Sequence, residues 1–168
     1  MICAVSTKTT GLKAGIHEVI ELSIKPLNGT EITYRVLPYR GEIYEENVQK
    51  INGVSLASAM AFPDRPEMMK SVQDMFPNGF QPMGHHLDFD FNMIKETFGM
   101  DFLKTIFKGT PINTALMLEK KNLDLQVSGK PRLTKNLALK SNCKALNIPF
   151  TTKCAAVEKL YQVLTSEA

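Results

Sequence analysis

Gly84-His85-His86-Leu87-Asp88-Phe89-Asp90-Phe91-Asn92-Met93-Ile94 is the stretch that decides the fold of this chain. A glycine and two histidines are followed by two carboxylates, and then by Phe91, Ile94 and Phe98. Their i, i+3, i+7 spacing marks one face of a helix that stops at Gly99. Imidazole beside carboxylate is also a transition-metal ligand set. Adjacent residues on a strand point to opposite sides, however, so a core or strand-end role is expected of His85 and His86 and no metal site is assigned.

Upstream the chain reads as strands. Cys3 and Val5 alternate with small residues before a Thr-Thr-Gly turn. Glu18 to Leu27 is rich in β-branched and apolar residues, and Ile32, Tyr34 and Val36 alternate with polar neighbours. The second and third strands are expected to form a hairpin across Asn28-Gly29. Past Pro38, helices are predicted from Glu45 to Ile51, closed by Asn52-Gly53, and from Pro66 to Met75. Downstream of the opening stretch, Leu139, Cys143 and Leu146 mark one helix. Cys154, Val157, Leu160, Tyr161 and Leu164 mark a terminal amphipathic one. Leu123 to Lys135, with Gly129 and Pro131, reads as an exposed loop. Strands first and helices later argue for an α/β sheet domain, and 168 residues suit one domain spanning 1–168.

Composition narrows the class. Hydrophobic residues at 43% and charged residues at 22% describe an ordinary globular protein. No stretch approaches the roughly 20 apolar residues of a membrane span, and Met1-Ile2-Cys3-Ala4-Val5 lacks the pattern of a signal peptide. Cys3, Cys143 and Cys154 form no CxxC pair and are expected as reduced core thiols, which places the chain in the cytoplasm. Eight of the nine methionines lie between Met60 and Met117, as core filling or as an adaptable partner surface. The net charge of +3 hides an asymmetry: residues 1–103 hold 9 Lys/Arg against 13 Asp/Glu, residues 104–168 hold 11 against 4. A basic C-terminal part attracts a phosphate backbone, or is simply solvated.

Several short segments then fall into a known order. Ser6-Thr7-Lys8-Thr9-Thr10-Gly11-Leu12 closes the first strand, and Glu18-Val19-Ile20-Glu21 opens the second. Val36-Leu37-Pro38 follows the third, Lys50-Ile51-Asn52-Gly53-Val54-Ser55 closes a helix, and Ile112-Asn113-Thr114-Ala115-Leu116 lies beyond the opening stretch. Together they resemble the DnaQ-like (DEDDh) 3'-5' exonuclease family of the RNase H-like superfamily. Its first motif is Asp-x-Glu-Thr-Thr-Gly-Leu, and its second, His-Asn-Ala-x-Phe-Asp, ends at the position of Asp90. The resemblance covers about residues 2 to 165. It implies an RNase H-like mixed five-stranded sheet flanked by helices, with the active site at the ends of the central strands.

It also implies chemistry that this chain is not equipped for. The family hydrolyses a terminal phosphodiester with two divalent metals held by four carboxylates, beside a His or Tyr base. Here Ser6 and Lys8 replace the first Asp and Glu. Aligning the terminal helix through Leu160 and Tyr161 puts the last Asp at Lys153. Asp90 alone is kept. No histidine follows His86, and the Tyr variant fails because Thr165 stands four residues after Tyr161. The Lys8 ammonium is expected to occupy the lost metal's space and pair with Asp90; the alternative has both groups solvated in an open cleft.

The expected function is a catalytically inactive exonuclease-like domain, a pseudoenzyme, acting as a nucleic-acid-binding or assembly module. Its nucleic-acid candidates are Lys8 and Lys153 in the cleft and Lys130, Arg132 and Lys135 in the neighbouring loop. The chain has no Trp and no aromatic run for base stacking. No cofactor is expected. Two rivals stay open: a residual nuclease using Mg or Mn with acids such as Asp88, Glu18 or Glu21, and a purely structural subunit of a larger protein assembly, with no membrane partner.

Overall fold

The computed structural model describes residues 1–134 and 136–166. Five strands, β1 (Ile2–Thr9), β2 (Val19–Pro26), β3 (Ile32–Arg35), β4 (Gln81–Gly84) and β5 (Ile112–Asn113), form one mixed sheet in the order β3-β2-β1-β4-β5. β1 pairs antiparallel with β2, from Cys3 opposite Pro26 to Thr9 opposite Val19, and parallel with β4. The expected mixed five-stranded sheet flanked by helices is therefore present.

Helices cover both faces, which is why Cys3, Ala4 and Val5 of the central strand are all buried rather than alternating. On one face Cys3, Val5, Leu22 and Ile24 pack under α3 (Arg65–Met75), α4 (Leu87–Phe98) and α5 (Met100–Ile106). On the other, Ala4 and Met83 meet Cys154 and Val157 of α8 (Lys153–Ser166). Behind α8, Leu160 and Leu164 pack with Leu118 of α6 (Thr114–Val127) and Cys143 of α7 (Leu139–Ala145). Ile20 is covered separately by Tyr44, Val54 and Ala59 around α1 (Glu46–Asn52) and α2 (Leu56–Ala59). Each fully buried Leu or Ile contributes about 1.5–3 kcal/mol.

Helix limits follow their local signals. Gly53, left-handed at φ 67°, closes α1 with its N–H on the Gln49 carbonyl, and Asp64 caps α3 by accepting the Glu67 N–H. Gly11 is required by close packing, since a Cβ there would lie 2.4 Å from the His17 ring.

The exposed loop expected at Leu123 to Lys135 is corrected in its first half: α6 continues to Val127. Gly129 and Pro131 mark the loop's later part, while Leu123 and Val127 face water and so gave no periodic stripe to betray the helix. All three cysteines are free and buried. Met68, Met83 and Met93 fill the core, and Met60, Met75 and Met100 are exposed. Among the described residues no helix is long and apolar enough to cross a membrane.

Candidate functional site

At the C-terminal end of β1 lies a cleft of about 360 Å³ between the starts of α4 and α8. Ser6, Asp90 and Lys153 line it together, with Leu12, Phe89 and Val157 supplying apolar walls. Three of the four positions expected to bear the family's carboxylates are thus brought into one cavity.

Asp90 sits in the first turn of α4 and is anchored to the sheet. Its Oδ1 accepts the Thr7 backbone N–H at 3.0 Å and the Thr7 hydroxyl at 2.6 Å. Burial pushes its pKa up, against the Thr7 hydroxyl bond and the positive charge of Lys153. The lysine that lines the cleft with Asp90 is Lys153, the first residue of α8.

The expected Lys8–Asp90 pair is not formed. β1 is pleated, and the register sets Lys8 opposite Glu21 of β2. The Lys8 ammonium binds Glu21 Oε2 at 2.8 Å and donates to the carbonyl of Asn52, the last residue of α1, at 3.0 Å. It thereby satisfies an orphan carbonyl at the negative end of a helix. Lys8 lines a second groove, which shares Ser6 and Lys153 with the first. Glu21 is 5% exposed and is also held by Arg35 at 3.1 Å. Lys8→Glu would set a like charge against this buried acid and leave it Arg35 alone; a loss of about 2 kcal/mol is expected in urea unfolding. Lys8→Met, which removes the charge without reversing it, should cost less. Equal stability of Lys8→Glu and the native chain would show that Glu21 does not depend on Lys8.

The acids offered by the residual-enzyme reading are engaged by other residues or do not line the cleft. Glu18 is bound by Arg40 and Arg65, Glu21 by Lys8 and Arg35, and Asp88 is exposed on α4. Among the described residues no group of three or more His, Cys, Asp or Glu side chains is placed to hold a metal ion. The divalent ions that the fold family implies do not fit this donor set, which joins one carboxylate to an ammonium and to the Ser6 hydroxyl, itself the acceptor of the Cys154 thiol at 3.5 Å.

His85 is buried at the end of β4. Its Nε2 donates to the Leu137 carbonyl at 2.5 Å, and its Nδ1 lies in hydrogen-bond contact with the Thr114 hydroxyl at 3.0 Å. Burial lowers its pKa, so it stays neutral as a latch between β4, α6 and the segment before α7, the strand-end role expected of it. His86 is exposed at the mouth of the cleft.

Lys130 lines a groove with Asp124 and Leu164, and Arg132 lines another hollow with Thr134 and Asn142; neither lines the cleft. Lys135 lies outside the described residues. Sequence reasoning missed Thr7, the actual hydrogen-bond partner of Asp90, although its place between the two motif positions was a signal. It also missed Leu12 and Phe89 as cleft walls.

No family model matches the sequence, and no curated protein matches it. Solved structures do. E. coli exonuclease I in complex with a dT13 oligonucleotide aligns with a TM-score of 0.76 at 10% identity, over 98% of this chain and 41% of that one. Apo exonuclease I aligns at 0.75 and 10% identity, over 98% and 42%, and an ExoI/SSB-Ct complex at 0.71 and 12%, over 99% and 42%. What is shared at such identities is the fold, the RNase H-like α/β sheet. The chain spans about two fifths of the length of these structures.

Proposed function

We propose that residues 1–168 form one exonuclease-type domain that does not cut, and that binds single-stranded nucleic acid in the cleft between β1, α4 and α8. The observation that carries this is Lys153 lining one cleft with Asp90, where the family resemblance calls for a metal-holding acid. Two-metal hydrolysis needs several anions around the ions; one carboxylate is too few, and the Lys153 ammonium in the same cleft repels cations. The same ammonium, above a largely apolar cleft, suits a phosphate with its nucleoside. The oligonucleotide held by exonuclease I supports this reading by likeness of fold. Three buried free thiols support a reducing, cytoplasmic setting.

Anisotropy of a labelled oligothymidylate, without divalent ions, tests it. With about three phosphate contacts, affinity falls roughly tenfold to twentyfold for a fourfold rise in salt. Lys153→Glu should weaken binding by about tenfold or more. Affinity insensitive to salt and to Lys153→Glu would refute the reading. Turnover in manganese that disappears in Asp90→Asn would instead establish the residual nuclease.

A second reading, an assembly module, is favoured by Leu116, Leu123 and Val127. They lie at i, i+7 and i+11 on α6 and are all exposed, Val127 at 83%. It expects no oligonucleotide binding and a stable protein complex.

A further inference from the structure

A second aromatic surface stands at the same end of the sheet as the cleft. β1 ends at Thr9, β2 begins at Val19, and β3 runs antiparallel to β2 and ends at Arg35, opposite Glu21. The segment after β3 therefore emerges beside the loop joining β1 to β2, two strands or roughly 10 Å from β1. Leu12 of that loop lines the cleft, and the loop's Gly15 carbonyl accepts from Arg40 Nη1 at 3.0 Å. Loop and segment are thus tied together.

Next to Arg40, Tyr39 is 58% exposed, yet its ring is not loose. The Arg65 guanidinium lies 3.8 Å from the ring centroid. Arg65 is itself fixed: Nη2 binds Glu18 Oε1 at 2.5 Å and Nη1 donates to the Thr97 carbonyl at 3.0 Å. Glu18 also accepts the Arg40 N–H at 3.0 Å. An exposed aromatic ring seated on an immobile cation has lost its freedom before any ligand arrives. Arg40 Nε binds the same Glu18 Oε1 as Arg65, and its Nη2 makes no hydrogen bond among the described residues, so a second guanidinium lies near the one that backs the ring; Lys13 of the adjoining loop is exposed.

We propose that Tyr39, backed by Arg65, is a stacking platform for a base of a single strand whose end occupies the cleft, with Arg40 beside it for the phosphates. This rests on reading the cleft as a nucleic-acid site and adds a second contact along the strand. Stacking on an aromatic ring is worth enough to change affinity several-fold per base, whatever the base.

Tyr39→Ala and Tyr39→Phe, titrated with thymidine dinucleotide and with longer oligothymidylates, test it, with thermal melts of each variant. Expected is a roughly fivefold to tenfold loss of affinity in Tyr39→Ala for long strands only, little change for the dinucleotide, and recovery in Tyr39→Phe. Tyr39→Ala binding long strands as the native chain does, while Lys153→Glu still weakens them, overturns the platform and leaves the cleft reading standing. Equal losses for dinucleotide and long strand, with a lowered melting temperature, also overturn it: the ring would then merely cover the Arg65–Glu18 pair. Absence of all oligonucleotide binding by the native chain removes the cleft reading and the platform with it.

Discussion

Replacing Arg65 with Ala is expected to cost about 3–5 kcal/mol at neutral pH, measured by urea unfolding. Glu18 is 4% exposed and its carboxylate is satisfied by the Arg65 guanidinium, the Arg40 backbone N–H and the Arg40 guanidinium. Arg65 side-chain exposure is only 16%, whereas Arg40 is partly in water. Without Arg65 the buried carboxylate keeps the weaker partner, the Thr97 carbonyl loses its donor, and Tyr39 loses its seat. A removed partner costs far more than a removed pair, so Glu18→Gln combined with Arg65→Met should recover a good part of the loss.

The same site sets an acid-side dependence. Burial alone would raise the Glu18 pKa, but the Arg40 N–H and the Arg65 guanidinium outweigh it and hold the acid below the usual range. A group whose pKa is lowered by folding stabilises the protein above its unfolded pKa, and that stability disappears as pH falls through the folded value. Glu158, held by Lys25 and the Asn28 N–H, acts in the same direction. Asp90 opposes them: its pKa is raised, so its ionisation costs stability above its ordinary value. The deficit of Arg65→Ala should therefore shrink as pH drops through the carboxylate range. A deficit that stays constant in acid would show that Glu18 does not draw its stability from Arg65.

Much of the fold was legible because its signals are local. The alternation of Ile32, Thr33 and Tyr34, the stops at Gly53 and Gly99, and the stripe from Cys154 to Leu164 each depend on neighbours in the chain, and each element formed where expected. The site was legible only in part, because its geometry depends on register and on remote partners. Reading Lys8 at the place of a family acid does not reveal that the pleat sets it against Glu21, thirteen residues on, or that Thr7 takes Asp90 instead. Lys153 was placed by alignment of its helix, and it lines the cleft with Asp90 because α8 packs on β1 through Ala4 and Cys154. The Tyr39–Arg65 contact could not be read at all: Tyr39 lies in the segment after β3, Arg65 on α3, and Arg65 is fixed there by Glu18, just before β2.

Magnesium or manganese ions are expected to leave the melting temperature of the native chain unchanged, and to raise that of a Ser6→Asp/Lys153→Asp variant by roughly 5–10 °C. The native cleft presents one carboxylate, already accepting two hydrogen bonds from Thr7 and sharing the cleft with an ammonium. The two substitutions remove that cation and set three carboxylates around one cavity. Without a metal these acids repel one another and the variant should melt below the native chain; with an ion of the hard, oxygen-seeking kind the repulsion becomes ligation. An ion present at about a hundredfold over its dissociation constant stabilises by about 2.7 kcal/mol, which for a chain of this size is the shift stated. Lys8 must stay as it is, since an acid there would face buried Glu21 rather than the metal. A native chain that itself melts higher in manganese, and loses that response in Asp90→Asn, would mean that the cleft seats a metal despite Lys153. A variant with no response would mean that Ser6 and Lys153 are not where the missing ligands belong. Both outcomes are read without any turnover, so the proposed lack of metal ligands is tested apart from any catalytic base.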